Sequence, residues 1–222
     1  MNNDLICKSQ TSSLGKGVDR REFLKRAGLA GAGLALAAMQ PPLRAQPADA
    51  LPTRILGRTK EKVTILGLGT APVGEGPVEV QEGIRIFSEV LDRGVTYVDT
   101  ARIYGEAEEM LGHVIPKRRD KLFVVTKVST DSAARAEQSL SESLRQLKTD
   151  HLDLVHIHSI GGKNLDKVLA ADGVLAYLLK QKEAGKIRFI GISGHNRPAN
   201  FVRMIQTDQI DVLMCVMNYA DR

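Results

Sequence analysis

Residues 122–158 read LFVVTKVSTDSAARAEQSLSESLRQLKTDHLDLVHIH and contain two apolar runs separated by a helical segment. The runs Leu122–Thr126 and Leu152–His158 are short and rich in β-branched residues, as buried strands are. Four apolar residues between them recur at helical spacing: Ala136, Leu140, Leu144 and Leu147. We expect this helix to begin near Asp131 or Ser132. Two strands joined by such a helix are typical of a parallel βα unit.

The same alternation extends in both directions from this unit. A small hairpin over residues 54–65 is expected first, turning at Thr59-Lys60. The other predicted strands cover residues 65–68, 96–99, 187–192 and 212–216. The other predicted helices cover residues 80–91, 106–114, 174–183 and 198–205, and Gly94 and Gly185 follow the ends of two of them. The sequence therefore predicts an α/β fold with a parallel sheet and about six βα units.

The first 50 residues resemble a twin-arginine export signal. Arg20-Arg21 precede Phe23-Leu24-Lys25, and a weakly apolar run of about 13 residues follows, from Ala27 to Met39. Such a run is shorter than the roughly 20 residues of a membrane span, and no stable span is expected elsewhere. We expect cleavage after Ala45 or Ala50 and a periplasmic or exported enzyme that is cytoplasmic before export. An uncleaved anchoring N-terminus is the alternative.

The composition and charge of residues 51–222 are typical of an ordinary globular domain. The chain has 222 residues, of which 43% are hydrophobic and 26% charged. Its net charge of +5 is concentrated in residues 1–50, which hold seven Lys and Arg against four acidic residues and leave 24 against 22 for the rest. Trp is absent and basic residues do not alternate with aromatic ones, so we expect no nucleic-acid partner.

The two cysteines predict neither a disulfide framework nor a Cys-x-x-Cys metal site. Cys7 lies in the predicted export signal, and Cys215 lies in the apolar stretch of residues 212–216. A single cysteine in such a stretch is usually a small core residue, and we expect this of Cys215.

Four residues that could carry chemistry lie at or just after the ends of consecutive predicted strands. Asp99 ends the second strand, Tyr104 lies in the loop after it, Lys127 ends the third and His158 ends the fourth. The carboxyl ends of parallel strands in a barrel meet at one mouth, where active sites lie. Taken singly, Asp99 could cap a helix, Lys127 could be solvated and Tyr104 could be a partly buried aromatic residue.

His156 allows a different interpretation of the fourth strand. It lies two residues before His158 and therefore on the same face, as in a His-x-His metal pair. The only later histidine is His195. We favour His156 as a hydrogen-bonded interior residue and predict no metal site, with a metal-dependent hydrolase barrel as the alternative.

The segments around these residues are similar to the motifs of the aldo-keto reductase family. They are GVTYVDTARIYG at residues 94–105, VVTK at 124–127, DLVHIH at 153–158, ILGRT at 55–59, GLGT at 67–70 and GKIRFIGIS at 185–193. Their order and spacing agree with the family from about residue 53 to residue 222. The resemblance implies a parallel (β/α)8 TIM barrel that transfers hydride from NAD(P)H to a small aldehyde or ketone substrate.

The resemblance also implies a role for each of the four residues. Tyr104 is the general acid that protonates the carbonyl oxygen after hydride transfer. An adjacent ammonium stabilises the phenolate that remains, so Lys127 is expected to make Tyr104 a better acid, with Asp99 holding Lys127 in place. His158 is expected to donate a hydrogen bond to the carbonyl oxygen and to orient it.

The expected cofactor contacts are fewer than the family usually has. The resemblance places the turn Gly69-Thr70-Ala71 beside the cofactor, NADP(H) by family habit or NAD(H), along with Asp99, Ser193 and Asn218. Two positions depart from the family pattern: Gly194 stands where an Asn is usual, and Met214 where a Gln is usual. Pro72 occupies the third glycine position of a Rossmann fingerprint, so we reject that fold.

The predicted barrel is shorter than the family's. Six strands in the 172 residues after the export signal fall short of the about 250 residues of an eight-stranded barrel. We therefore expect a domain that is incomplete at its C-terminus, with two unpaired sheet edges. A catalytically inactive truncated barrel is the alternative to an active reductase.

Overall fold

The computed structural model describes residues 50–217. Residues 1–49, which hold almost all of the predicted export signal, and residues 218–222, which include Asn218, lie outside the described residues. No helix of the described part is both long enough and apolar enough to cross a membrane.

The described chain contains eight strands and seven α-helices, together with three short 3-10 turns. The strands are β1 (Thr53–Ile55), β2 (Lys62–Thr64), β3 (Gly67–Gly69), β4 (Tyr97–Asp99), β5 (Phe123–Val128), β6 (Leu152–Ile157), β7 (Ile187–Gly194) and β8 (Val212–Cys215). The helices are α1 (Ala71–Gly74), α2 (Val80–Asp92), α3 (Ala107–Leu111), α4 (Ala133–Leu147), α5 (Leu165–Leu169), α6 (Val174–Glu183) and α7 (Pro198–Ile205).

Six of the strands form one parallel sheet in the order β3-β4-β5-β6-β7-β8. Neighbours in this sheet are also consecutive in the chain, as in a barrel built from successive βα units. The sheet curls into a partial barrel, which confirms the predicted fold class with about six units present. Strands β1 and β2 pair antiparallel, with Thr53 opposite Thr64, and confirm the predicted hairpin.

The core has two parts, one on each face of the sheet. The larger part lies between the outer face and the helices and contains Phe87, Leu140 and Leu178. The smaller part lies inside the curl, where Tyr97 stacks on Phe123 at 5.6 Å and Phe123 on Phe189 at 6.1 Å between ring centroids. Successive residues of a strand alternate between these faces, and the inner face leads to the strand ends that hold the site.

Three predictions about elements need correction. The first barrel strand is β3 at residues 67–69 rather than 65–68, because the Ile65 amide still donates to the carbonyl of Pro52 in the hairpin. The short helices α1 and α5 were not expected. Cys215 is exposed rather than buried, because within the described residues β8 pairs only with β7 and one side of it stays open.

Candidate active site

The structure brings Asp99, Tyr104, Lys127 and His158 together at the carboxyl edge of the sheet. Asp99 is the last residue of β4, Lys127 lies one residue before the end of β5, and His158 follows β6 directly. Tyr104 lies in the loop from β4 to α3 and its ring contacts both Lys127 and His158. Because β4, β5 and β6 are adjacent in the sheet, three neighbouring strand ends place these side chains in one small volume.

Lys127 is the centre of this group, and its side chain is only 1% exposed. Its Nζ donates to Asp99 Oδ1 at 2.5 Å and to the carbonyl oxygen of Thr100 at 2.9 Å. The same Nζ lies 4.7 Å from the centroid of the Tyr104 ring. Burial raises the pKa of the Asp99 carboxyl, and the neighbouring Lys127 ammonium acts in the opposite direction. A buried cation is therefore fixed beside the phenol by two oxygen atoms.

His158 faces Tyr104 across the mouth, edge to face, with ring centroids 6.0 Å apart and planes at 88°. Burial, together with the charges of Lys127, Lys163 and His195, lowers the pKa of His158 to about 4. The imidazole is therefore neutral near pH 7, so that one ring nitrogen carries a proton and the other does not. Its Nδ1 is buried without a hydrogen-bond partner among the described residues.

His156 lies in the interior as expected, but the prediction that it is hydrogen-bonded is wrong. Both ring nitrogens are buried without a partner in the described part of the chain. Burial, together with the charges of Lys127 and His158, lowers the pKa of His156 to about 3, and the backbone of Ile192 acts weakly in the opposite direction. Gly191 is the register partner of His156, and a Cβ there would lie 2.3 Å from Nδ1. The ring thus occupies space that only glycine leaves open.

The residues predicted to contact a cofactor lie around the same mouth. Gly69 pairs with Asp99 in register, and a Cβ added to it would meet no atom within 4 Å. Thr70 is fully buried, and both its amide and its hydroxyl donate to the Asp99 carbonyl at 3.1 Å. Ala71 begins α1. Ser193 lies in β7, and its buried hydroxyl has no hydrogen-bond partner within residues 50–217.

The two departures from the family pattern lie beside Ser193. Gly194 packs against the ring of Phe201, and a Cβ at this position would come within 3.1 Å of that ring. An asparagine there would have to displace Phe201, which explains the glycine. Met214 is the register partner of Ser193 on β8 and offers no amide group. The described site therefore has the serine hydroxyl without the two amides.

Two further groups at this site could not be predicted from the sequence. One is the Thr100 carbonyl, which accepts from Lys127, and the other is Glu108, a completely buried carboxylate on α3. Glu108 lies next to Glu109 in a helix of only five residues, so neither periodicity nor spacing distinguishes it from a solvated glutamate. Its partners come from another loop and another strand and are known only from the fold.

Metal ligation has no support in the described residues. Nowhere between residues 50 and 217 do three or more His, Cys, Asp or Glu side chains come together as ligands for a metal ion. His156 and His195 therefore do not complete the ligand set that the metal-dependent hydrolase alternative requires.

The comparisons with known proteins agree with these motifs. The family model of the aldo/keto reductase family matches residues 65–221. L-galactose dehydrogenase of Arabidopsis thaliana is 34% identical over 154 residues, which are 64% of this chain and 48% of that protein. The chain spans about half the length of the curated relatives that it matches, from 42% to 57%.

Solved structures show the same fold. A protein of Pseudomonas aeruginosa assigned as an aldo-keto reductase superposes with a TM-score of 0.69 and 31% identity, covering 81% of this chain and 74% of its own. An aldo/keto reductase of Klebsiella pneumoniae in complex with NADP and acetate gives a TM-score of 0.56 and 31% identity, covering 67% and 51%.

Proposed function

This chain belongs to the aldo/keto reductase family, and from that premise we propose that it is an NAD(P)-dependent oxidoreductase that reduces an aldehyde or a ketone. The observation that carries the proposal is the buried Lys127 ammonium, held by Asp99 and the Thr100 carbonyl directly beside the ring of Tyr104. A fixed cation next to a phenol is what proton donation from that phenol requires.

Tyr104 is the proton donor in this proposal. The cofactor, when bound, supplies the hydride that adds to the carbonyl carbon. Negative charge then develops on the carbonyl oxygen, and the Tyr104 hydroxyl gives its proton to that oxygen. The phenolate that remains is stabilised by the Lys127 ammonium, which Asp99 and the Thr100 carbonyl hold in place before the reaction begins.

His158 orients the substrate by donating a hydrogen bond to the carbonyl oxygen. Its burial and the neighbouring positive charges keep the imidazole neutral at pH 7, so it can donate from one nitrogen without adding a second cation beside Lys127. The edge-to-face contact with Tyr104 sets the two rings on either side of the position where the oxygen would lie. Two donors aimed at one oxygen fix its direction.

The described residues fit a nicotinamide at this mouth. Ser193 Oγ and Asp99 Oδ2 are buried polar atoms without a partner among them, as expected of groups that contact a bound amide and ribose. The open space at Gly69, next to Asp99, would admit the nicotinamide ring. We propose NADP(H) as the cofactor, with NAD(H) as the alternative, because the Klebsiella pneumoniae relative binds NADP. Asn218, the remaining predicted contact, lies outside the described residues.

Replacing Tyr104 with phenylalanine tests the assignment. Tyr104→Phe should lower kcat for reduction of an aldehyde panel by about 10²- to 10⁴-fold, the usual contribution of a general acid. The dissociation constant for NADPH, followed by cofactor fluorescence, should stay the same because the ring is kept. Tyr177→Phe, which removes a hydroxyl from α6, is the matched control and should retain full activity. Undiminished turnover in Tyr104→Phe would refute the proposal, and absence of saturable NADPH binding by the chain would favour an inactive partial barrel.

We also propose that residues 1–50 direct twin-arginine export and that the enzyme acts in the periplasm or beyond. The support is the sequence of Arg20-Arg21 with the apolar run after it. Replacing both arginines with lysine should leave the full-length protein in the cytoplasmic fraction, because the export receptor recognises the arginine pair. Replacing Arg26 and Arg44 with lysine keeps the same charge and should not change export. Equal export of both double variants would argue against the signal.

A further inference from the structure

A second buried carboxylate lies directly behind the proposed active site. Glu108 on α3 is completely buried. Its Oε2 accepts from Arg102 Nη1 at 2.8 Å, and its Oε1 accepts from the Thr126 hydroxyl at 2.7 Å. Burying a carboxylate is costly unless it is paired and hydrogen-bonded. The buried Glu108 carboxylate is therefore stable only while Arg102 and Thr126 stay in contact with it.

Both partners of Glu108 are sequence neighbours of the proposed catalytic residues. Thr126 precedes Lys127 in β5 and faces the helices, while Lys127 faces the inside of the barrel. Arg102 lies two residues before Tyr104, in the loop that begins after Asp99. Glu108 thus connects the outer side of the lysine strand to the loop that carries the phenol.

The loop of residues 100–104 is therefore held from two sides. On the inner side, Lys127 Nζ donates to the Thr100 carbonyl. On the outer side, Glu108 fixes Arg102, whose Nη1 also donates to Gln146 Oε1 of α4 at 3.1 Å. These contacts fix the loop at Thr100 and at Arg102, just before the residue whose ring must lie beside Lys127.

The far end of the loop is fixed by close backbone contacts. Gly105 has φ +50°, and a Cβ there would lie 2.1 Å from the Gly74 carbonyl oxygen. The Glu106 amide donates to the same oxygen at 3.3 Å. With this end fixed by backbone atoms, two side-chain contacts hold the loop before Tyr104: Lys127 with the Thr100 carbonyl on the inner side and Arg102 with Glu108 on the outer side.

We propose that Glu108 is a positioning residue for the carbonyl reduction, acting through Arg102 and Thr126 to hold Tyr104 beside Lys127. The inference rests on the proposed function, because it concerns the same site. It assigns no contact with substrate or cofactor to Glu108. Displacement of a reacting group by about 1 Å can cost roughly 10²-fold in rate, so loss of this contact should act on kcat.

The test compares Glu108→Gln with a variant that loses a buried carboxylate elsewhere. Glu108→Gln keeps the shape and the Thr126 contact but loses the charge that pairs with Arg102. We expect kcat to fall about 10- to 100-fold, with the KM for NADPH changed by less than about twofold. Asp153→Asn removes a comparable buried charge at the opposite end of the sheet, and its kcat should stay near that of the unchanged protein under conditions where both variants are folded.

Arg102 provides a milder pair of variants, because its side chain is partly exposed. Arg102→Met should reproduce the fall in kcat, and Arg102→Lys, which keeps a cation for Glu108, should restore most of it. The proposal would be overturned if kcat fell as far in Asp153→Asn as in Glu108→Gln. It would also be overturned if Glu108→Gln and Arg102→Met both kept a kcat within threefold of that of the unchanged protein.

Hydrogen exchange gives a readout that does not depend on activity. Exchange rates of the amides of residues 100–106 are compared with those of the amides of α4 in the same protein. Relative to α4, they should be at least tenfold faster in Glu108→Gln than in the unchanged full chain. Asp153→Asn should show no such increase. This result would support the positioning role even if no carbonyl substrate were reduced, in which case only the proposed function would fail. Unchanged exchange of residues 100–106 would overturn the positioning role itself.

Discussion

At the residue scale, His156 and His158 make the stability of the protein depend on pH. Burial lowers the pKa of His156 to about 3 and that of His158 to about 4. Both have a pKa near 6.5 in the unfolded chain. Below that pH the unfolded chain binds protons that the folded protein does not. The free energy of unfolding should therefore fall as the pH drops from about 6.5 towards 4, and further towards 3 for His156.

His156→Leu should remove about half of this pH dependence between pH 7.5 and pH 5, because the folded-state pKa values of His156 and His158 both lie below 5 and the two residues contribute similar shares. Each pKa unit corresponds to roughly 1.4 kcal/mol, and a leucine in the same interior position has no proton to bind. Urea unfolding at pH 7.5 and pH 5 should show a smaller loss of stability for His156→Leu than for the unchanged protein. His151→Gln, at the exposed start of β6, is the control and should keep the original difference. Equal losses in His156→Leu and the unchanged protein would contradict the assignment to this residue.

At the element scale, Asp153 joins three adjacent strands at their amino ends. Its Oδ2 accepts from the Val124 amide of β5 at 2.8 Å, and its Oδ1 accepts from Arg188 Nη1 of β7 at 2.7 Å. Arg119, in the turn before β5, lies 2.9 Å from Oδ2. The carboxylate is buried in β6 between these partners, so its charge is neutralised only while the three strands stay in register.

Asp153→Asn should lower the free energy of unfolding by about 3–5 kcal/mol, the usual cost of removing one member of a buried ion pair. The amide carries no charge to pair with Arg119, and its single acceptor oxygen cannot serve both the Val124 amide and Arg188, one of which then faces an NH2 donor. Guanidinium chloride unfolding at pH 7 measures the change. Asp150→Asn is the control, because that side chain is 95% exposed and its replacement should leave the stability close to that of the unchanged protein. A similar small change for Asp153→Asn would show that the network contributes little.

The elements that could be predicted are those whose side chains carry the periodic signal. Strands β5 and β6 are buried at every position, and most of their residues are apolar and β-branched or leucine, so their predicted positions are nearly correct. Strand β3 was misplaced by two residues at its start because Gly67-Leu68-Gly69 has almost no side-chain pattern. Helices α1 and α5 span four and five residues, too few for a helical period to show.

The same distinction applies to the residues of the site: some could be predicted from the sequence, and others depend on tertiary packing. Asp99, Lys127 and His158 could be placed together because each lies at the end of a strand, where topology brings side chains to one edge. The role of Glu108 could not be predicted, because Arg102 and Thr126 reach it only through the packing of α3 against the sheet. The missing hydrogen bonds of His156 likewise depend on the space left by Gly191, across the strand pair.

At the scale of the whole molecule, the partial barrel has two sheet edges. Within residues 50–217, β3 pairs only with β4 and β8 only with β7. Apolar side chains are exposed at both: Ile65 and Leu66 just before β3, and Leu213, Val216 and Met217 in and after β8. Unpaired backbone groups beside exposed apolar side chains form a template for pairing with another chain.

We therefore expect the 222-residue protein to self-associate through the β8 edge. Sedimentation velocity between about 1 and 100 µM should show a concentration-dependent rise in mean mass. Leu213→Lys with Val216→Lys should raise the apparent dissociation constant at least about tenfold, because charged residues on an edge oppose strand pairing. Ile55→Lys with Ile205→Lys adds the same charge at other exposed apolar positions and should have little effect. A protein that stays monomeric throughout this range, or equal suppression by both double variants, would show that the edge does not mediate association.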